Sequence, residues 1–158
     1  MNQAAQIEPV RKSIVVGTSP QRAFEVFSSG LDRWWPKSHG IGSTPLAQSI
    51  MEPFVGGRWY SKHENGTEVT VGHVLAWEPG RRLLVTWEIN AQWHSDPRPA
   101  FTSEVEVIFA DAGEGRTRVN VEHRAFERMG EEGGNTMRGA VDGGWPHLLE
   151  LFAQAAAA

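Results

Sequence analysis

Two stretches late in the chain alternate apolar and polar residues with period two. In F-T-S-E-V-E-V-I-F-A, Val105, Val107 and Phe109 fall on one face, with Glu104 and Glu106 on the other. In R-T-R-V-N-V-E-H, Val119, Val121 and His123 oppose Arg118, Asn120 and Glu122. Such alternation predicts antiparallel strands with one buried and one wet face. Residues 9–17 end in a β-branched run and read as a further strand. Across residues 48–122 nearly every segment has strand character: Q-S-I-M-E-P-F, G-G-R-W-Y-S-K-H, E-V-T-V-G-H-V-L-A-W and R-L-L-V-T-W-E-I. Asn65-Gly66, Glu78-Pro79-Gly80 and the proline-containing loop W-H-S-D-P-R-P punctuate them.

Helical periodicity appears in two places. Ser19 as N-cap and Pro20 at the first helical position open a helix that buries Ala23, Phe24 and Phe27 and ends at Gly30. At the other end Met137, Val141, Trp145, Leu148 and Phe152 recur at spacings of three and four, one face of a long helix. Gly143-Gly144 and Pro146 predict a kink in it. Between these helices and the strands lies L-D-R-W-W-P, a second short helix that Pro36 stops. A glycine-rich polar loop follows it. Adjacent residues on a helix point about 100° apart, so Trp34 and Trp35 cannot both enter one core. One ring plugs the core and the other faces a cavity mouth or the last helix. Residues 1–8 read as a loose tail.

The hairpin around Asn65-Gly66 poses a parity problem. A two-residue type I′ turn pairs His63 with Glu68, Ser61 with Thr70 and Trp59 with Gly72. With Trp59 inward, Tyr60, Val69 and Val71 are left outside, too apolar for a wet surface. Either a bulge changes the parity, or the outer patch is a contact in a homodimer.

Composition narrows the function classes. The chain has 158 residues, a net charge of -4 and no cysteine. One domain over residues 1–158 suits that length. Thiol chemistry, disulfides and zinc–thiolate sites are excluded. Without a basic stripe, nucleic acid is not the expected partner. No apolar run approaches the roughly 18 residues that span a bilayer, and the first residues carry no apolar signal segment, so a cytoplasmic protein without membrane insertion is expected. Seven tryptophans stand against one tyrosine. They either enrich the core or line a cavity.

Taken in order, S-P-Q-R-A-F-E-V-F, L-D-R-W-W-P, P-F-V-G-G-R-W, V-G-H-V-L-A-W-E-P-G-R-R-L-L-V-T-W and G-W-P-H-L-L-E-L-F resemble the SRPBCC (START-like, birch-pollen-allergen-like) superfamily. Within it they resemble bacterial proteins similar to the activator of the heat-shock protein 90 ATPase. These segments run from Ser19 to Phe152. The resemblance implies an α+β helix-grip fold in β-α-α-β6-α order: a curved antiparallel sheet of about seven strands around a long C-terminal helix, with a ligand-sized cavity between them. It does not imply one function, since members bind lipids, steroids and polyketides and a few catalyse reactions.

On this reading the expected partner is a small hydrophobic or aromatic molecule. The candidate binding residues are Trp34, Trp35, Phe54, Trp59, Trp87, Val107, His123, Met137, Val141 and Trp145. Among six histidines, His123 lies on the apolar face of its strand. It is the candidate acid–base group, or else a satisfied structural histidine. No H-x-H or H-E-x-x-H spacing supports a metal site, and G-E-E-G-G-N lacks the lysine of a phosphate loop, so no metal or cofactor is expected. That glycine-rich segment is read as a flexible loop at the cavity entrance. Two alternatives stand beside binding: a cyclase, dehydratase or hydrolase using cavity polar groups, and a co-regulator of a chaperone ATPase.

Overall fold

The computed structural model describes residues 6–39, 41–42 and 44–157. Residues 1–5 of the expected tail, and Gly40 and Ser43 of the polar loop, lie outside the described residues. Ile7, counted with that tail, is instead buried in the core.

Seven strands form one antiparallel sheet: β1 Val10–Val16, β2 Leu46–Met51, β3 Arg58–His63, β4 Glu68–Glu78, β5 Arg82–Trp87, β6 Ser103–Gly113 and β7 Arg116–Arg124. Their spatial order is β1-β7-β6-β5-β4-β3-β2. Helices α1 (Pro20–Phe27) and α2 (Glu131–Ala157) pack on part of the concave face, against β1, β6 and β7. This is the α+β helix-grip architecture, with β1 joined to β7 in the register Val10↔His123 through Val16↔Thr117. Among the described residues no helix is long and apolar enough to cross a membrane.

Local chemistry explains most element ends. The Ser19 hydroxyl accepts a hydrogen bond from Arg22 N at 3.2 Å, capping α1, which satisfies a donor that the first helical turn otherwise leaves open. The predicted second helix is only a 3-10 turn over Leu31–Arg33. Pro36 disfavours helical geometry at Trp35, so too few residues remain for an α-helix. Glu131 and Glu132, expected in a flexible loop, begin α2 instead, where negative charge suits the positive end of the helix dipole. The helix then runs without interruption through Pro146. Pro146 itself is exposed, whereas Met137, Val141, Trp145, Leu148 and Phe152 are buried. Burial of that face at roughly 1.5–3 kcal/mol per large side chain outweighs about 3 kcal/mol for an interior proline.

The hairpin parity is decided by two irregularities. The turn has three residues, not two: His63 N donates to Thr67 O at 2.9 Å and Gly66 N to His63 O at 2.9 Å. Gly66 has a φ of +86°, the left-handed position that such a loop requires,. The register therefore runs Lys62↔Glu68, Ser61↔Val69 and Tyr60↔Thr70. Val71 is then an extra residue, and Trp59↔Gly72 is restored beyond it. Val69 joins the inner face with Ser61, while Tyr60 stacks outside under the Arg58 guanidinium at 3.8 Å. The outer apolar patch on which the homodimer expectation rested is not formed.

Glu104, Glu106 and Glu122 line the outer face with Arg82, Arg124 and Arg11; Arg82 Nε lies 2.6 Å from Glu106 and Arg124 Nη1 3.0 Å from it. Partial burial opposes ionisation of Glu106, but the Arg82 and Arg124 hydrogen bonds outweigh it and hold its carboxyl below the ordinary range.

Gly72 meets the β5 backbone closely: a Cβ there would stand 1.8 Å from the Thr86 carbonyl oxygen. Gly72→Ala is therefore expected to cost about 1–3 kcal/mol or more through forced strand separation. A urea midpoint equal to that of the unaltered protein would contradict this.

Candidate functional site

Helix α2 packs along β1 and α1, so the far half of the sheet is left uncovered. A hollow of about 610 Å³ lies there, walled by residues of β2–β5, the loop after β5, the segment after Trp34 and α2. Five of the seven tryptophans stand in its wall: Trp35, Trp59, Trp87, Trp93 and Trp145. Val71, Ile89, Val141 and Leu148 add aliphatic surface. The polar groups of the wall are few: Ser49 and Ser61 deep on β2 and β3, and Ser38, His39, Gln92 and His94, all exposed, around the mouth.

The two adjacent tryptophans divide as their geometry demands. Trp34 is buried, and its Nε1 donates to Val26 O at 3.0 Å. Its ring packs on Phe27 and Phe152 at centroid distances of 5.1 and 5.5 Å. Trp35 is half-buried and turns to the hollow, edge-on to Trp59 at 5.4 Å. Of the sequence candidates, Trp35, Trp59, Trp87, Val141 and Trp145 are thus brought together in the wall. Trp34, Val107 and Met137 are core residues outside it. Phe54 is 53% exposed in the turn between β2 and β3, far from a lining position.

His123, the candidate acid–base group, is fully buried and is not part of the wall. Trp145 Nε1 donates to its Nδ1 at 3.2 Å. An indole nitrogen only donates, so Nδ1 carries the lone pair and the proton sits on Nε2. Nε2 then donates to Ser103 Oγ at 3.0 Å. Ser103 Oγ in turn lies 3.4 Å from the Trp87 carbonyl. The ring stacks on Phe126 at 4.7 Å and stands edge-on to Trp87 at 5.1 Å. Both nitrogens are occupied by protein partners, and burial pushes the imidazole down to about 3. His123 positions two wall rings and is not poised to exchange protons with a ligand.

Sequence reasoning missed the mouth. Trp93 has a φ of +60° and is 46% exposed. That backbone region costs a bulky residue roughly 1–3 kcal/mol and accumulates at functional sites. Asn90 holds it: its side-chain oxygen accepts from Gln92 N at 3.1 Å and His94 N at 3.0 Å, and its carbonyl from Trp93 N at 2.9 Å. A tryptophan two residues after an alanine in a polar loop was the available signal. His39, across the mouth, is held below the ordinary histidine range by partial burial and then by His147. Among the described residues no three His, Asp or Glu side chains come together to hold a metal.

Residues 17–157 match the family described as Activator of Hsp90 ATPase homolog 1-like protein. Among solved structures, an anthrahydroquino-gamma-pyrone synthase, Txn09, is 42% identical over 95% of this chain and 97% of that one, with a TM-score of 0.67. CalC, a self-sacrificing resistance protein from Micromonospora echinospora, is 30% identical over 94% and 93%, with a TM-score of 0.69. Protein MLL2253 from Mesorhizobium loti, 20% identical over 94% and 96% with a TM-score of 0.66, shares the fold. No significant match is found among curated proteins.

The buried imidazole predicts acid sensitivity. Unfolded, His123 takes a proton near 6.5; folded, it stays neutral down to about 3. The unfolded state therefore binds more protons in this window, and stability falls as pH drops, by about 1.4 kcal/mol per unit for this group. His39, shifted in the same direction, adds to the slope. Urea midpoints at pH 7 and pH 5 should differ for the unaltered protein and differ much less for His123→Gln. Equal pH slopes would exclude the assignment.

Proposed function

The chain belongs to the Activator of Hsp90 ATPase homolog 1-like family of the SRPBCC superfamily, and from that premise we propose that it binds a flat, fused-ring aromatic molecule of the quinone or hydroquinone kind in the hollow beside α2. The observation that carries this reading is the wall itself: five indoles around about 610 Å³. That volume suits a small organic ligand, and indole faces and edges stack favourably on flat rings. The 42% identity to a protein named an anthrahydroquino-gamma-pyrone synthase supports the ligand class.

One polar feature supports recognition of a carbonyl. Trp87 Nε1 is buried without a hydrogen-bond partner among the described residues, and Trp87 belongs to the wall. A buried donor left unpaired costs about 1–3 kcal/mol. A ligand oxygen that displaces the side chains shielding this nitrogen would satisfy it. A second reading, that the same hollow closes a ring on its ligand, is favoured by the similarity along 95% of the chain to a protein named as a synthase.

Titration with anthraquinone should quench the intrinsic tryptophan fluorescence saturably; absence of saturable quenching across a panel of fused-ring quinones would remove the reading. Trp87→Phe should weaken anthraquinone roughly tenfold while leaving anthracene, which has no acceptor, nearly unaffected. Trp93→Gly separates stability from binding: release of the left-handed backbone should hold or raise the melting temperature while ligand affinity falls.

A further inference from the structure

The hollow holds one more arrangement that its apolar lining does not call for. Ser61 stands in the wall and is 7% exposed. Its Oγ lies 3.0 Å from His63 Nε2. His63, 3% exposed, places Nδ1 2.7 Å from the Thr44 carbonyl oxygen. A carbonyl only accepts, so Nδ1 carries a proton, and in the neutral ring Nε2 presents its lone pair to Ser61. The single Ser61 hydroxyl proton therefore goes to His63 Nε2 at 3.0 Å in preference to the Val69 carbonyl oxygen at 3.5 Å, and Ser61 keeps its own lone pairs for an incoming donor. The carbonyl that sets this tautomer is itself anchored: Thr44 Oγ1 accepts from Asn65 N at 3.2 Å, and Pro45 O from Glu64 N at 3.0 Å. Directly across the ladder from Ser61 is Ser49, also in the wall and 5% exposed. A hydroxyl backed by an imidazole, whose other nitrogen is fixed by a third group, is the arrangement by which serine and histidine move protons.

We propose that Ser61 and His63 form a proton relay that accepts the proton of an acidic hydroxyl on the bound aromatic molecule; this rests on the binding function proposed above. The ligand O–H donates to Ser61 Oγ. Its proton passes to that oxygen as the Ser61 proton passes to His63 Nε2. The products are a ligand phenolate and an imidazolium whose Nδ1–H still bonds to Thr44 O, so charge and protons balance and no other reactant is needed. Ser61 is the group that touches the ligand, and His63 acts through it. Ser49, whose hydroxyl bonds to no described group, lies beside the developing oxyanion and can donate to it. The relay differs from the His123 chain in that its serine stands in the wall of the hollow, whereas neither Ser103 nor His123 does. It also gives the site a preference: of two equally flat ligands, the one with an acidic hydroxyl at the β2–β3 end gains. Loss of that proton is what any ring closure through a phenolic oxygen requires.

The probe is 2-hydroxyanthraquinone, whose phenolate absorbs at longer wavelength than its phenol, bound to the intact chain and followed by visible absorption across pH, with anthraquinone as the hydroxyl-free control. In the unaltered protein the bound probe should ionise at lower pH than in Ser61→Ala or His63→Gln, by about one unit or more. Anthraquinone, which has no hydroxyl proton to give, reports separately any change the substitutions make to the shape of the wall. A merely structural role for the pair would alter affinity or melting temperature but not the ionisation of the bound probe. Identical ionisation in all three proteins overturns the relay while leaving binding intact. Failure of the probe and of anthraquinone to quench tryptophan fluorescence overturns the binding function and the relay with it. Should His63→Gln lose its folded circular dichroism spectrum, Ser61→Ala, which removes a single oxygen, decides the matter alone.

Discussion

The indole N–H of Trp145 donates to the buried His123, and His123 donates onward to Ser103 beside the Trp87 carbonyl. This chain ties α2 to β7, β6 and the end of β5. Each group in it is out of water, so each must be paired within the protein, and a lost member would leave a buried partner unsatisfied. The constraint fixes where α2 lies over the sheet. Because α2 is held on the β1–β7 side, it leaves the wider β2–β5 half of the concave face uncovered, and the hollow follows.

From the same point a line of rings crosses the molecule. Trp87 stands 5.7 Å from Trp59, Trp59 5.4 Å from Trp35, and Trp35 5.7 Å from Trp34. Trp34 then joins Phe27 and Phe152 in the core. The pair of adjacent tryptophans is the crossing point: one ring is locked in the core by its bond to Val26 O, the other is delivered to the cavity by the single residue step between them. Core packing and wall geometry are thus one structure, with edge-on contacts that aromatic quadrupoles favour.

Two histidines with opposite fates follow from where they sit on this frame. His123 lies under the helix, where desolvation keeps it neutral and both nitrogens meet protein. His63 lies at the uncovered end of the sheet, backed by a carbonyl and facing a wall serine. The outer face is treated differently again: Glu104 and Glu106, which alternate with the buried valines, are answered by Arg82, Arg124 and Arg128, so the sheet presents fixed charge to solvent rather than an apolar surface.

Strands β6 and β7 were legible from alternation alone, because a sheet with one wet face writes its pleat directly into residue type. The cap at Ser19, the apolar face of α2 and the element order were equally local. The turn at residues 64–66 was not: Asn-Gly suits a two-residue turn, but the three-residue loop and the bulge at Val71 depend on which pairing turns Val69 and Val71 to the inner face with Trp59 and Ser61. Nor could sequence separate a poised His123 from a satisfied one, since its partners Trp145 and Ser103 lie 22 and 20 residues away. What the chain by itself determined was periodicity, caps and order, which follow from covalent geometry over a few residues. Register, the void beside α2 and the partners of the two buried histidines were decided only in the tertiary structure, because they are set by contacts between segments whose spacing in the sequence carries no trace of the pairing.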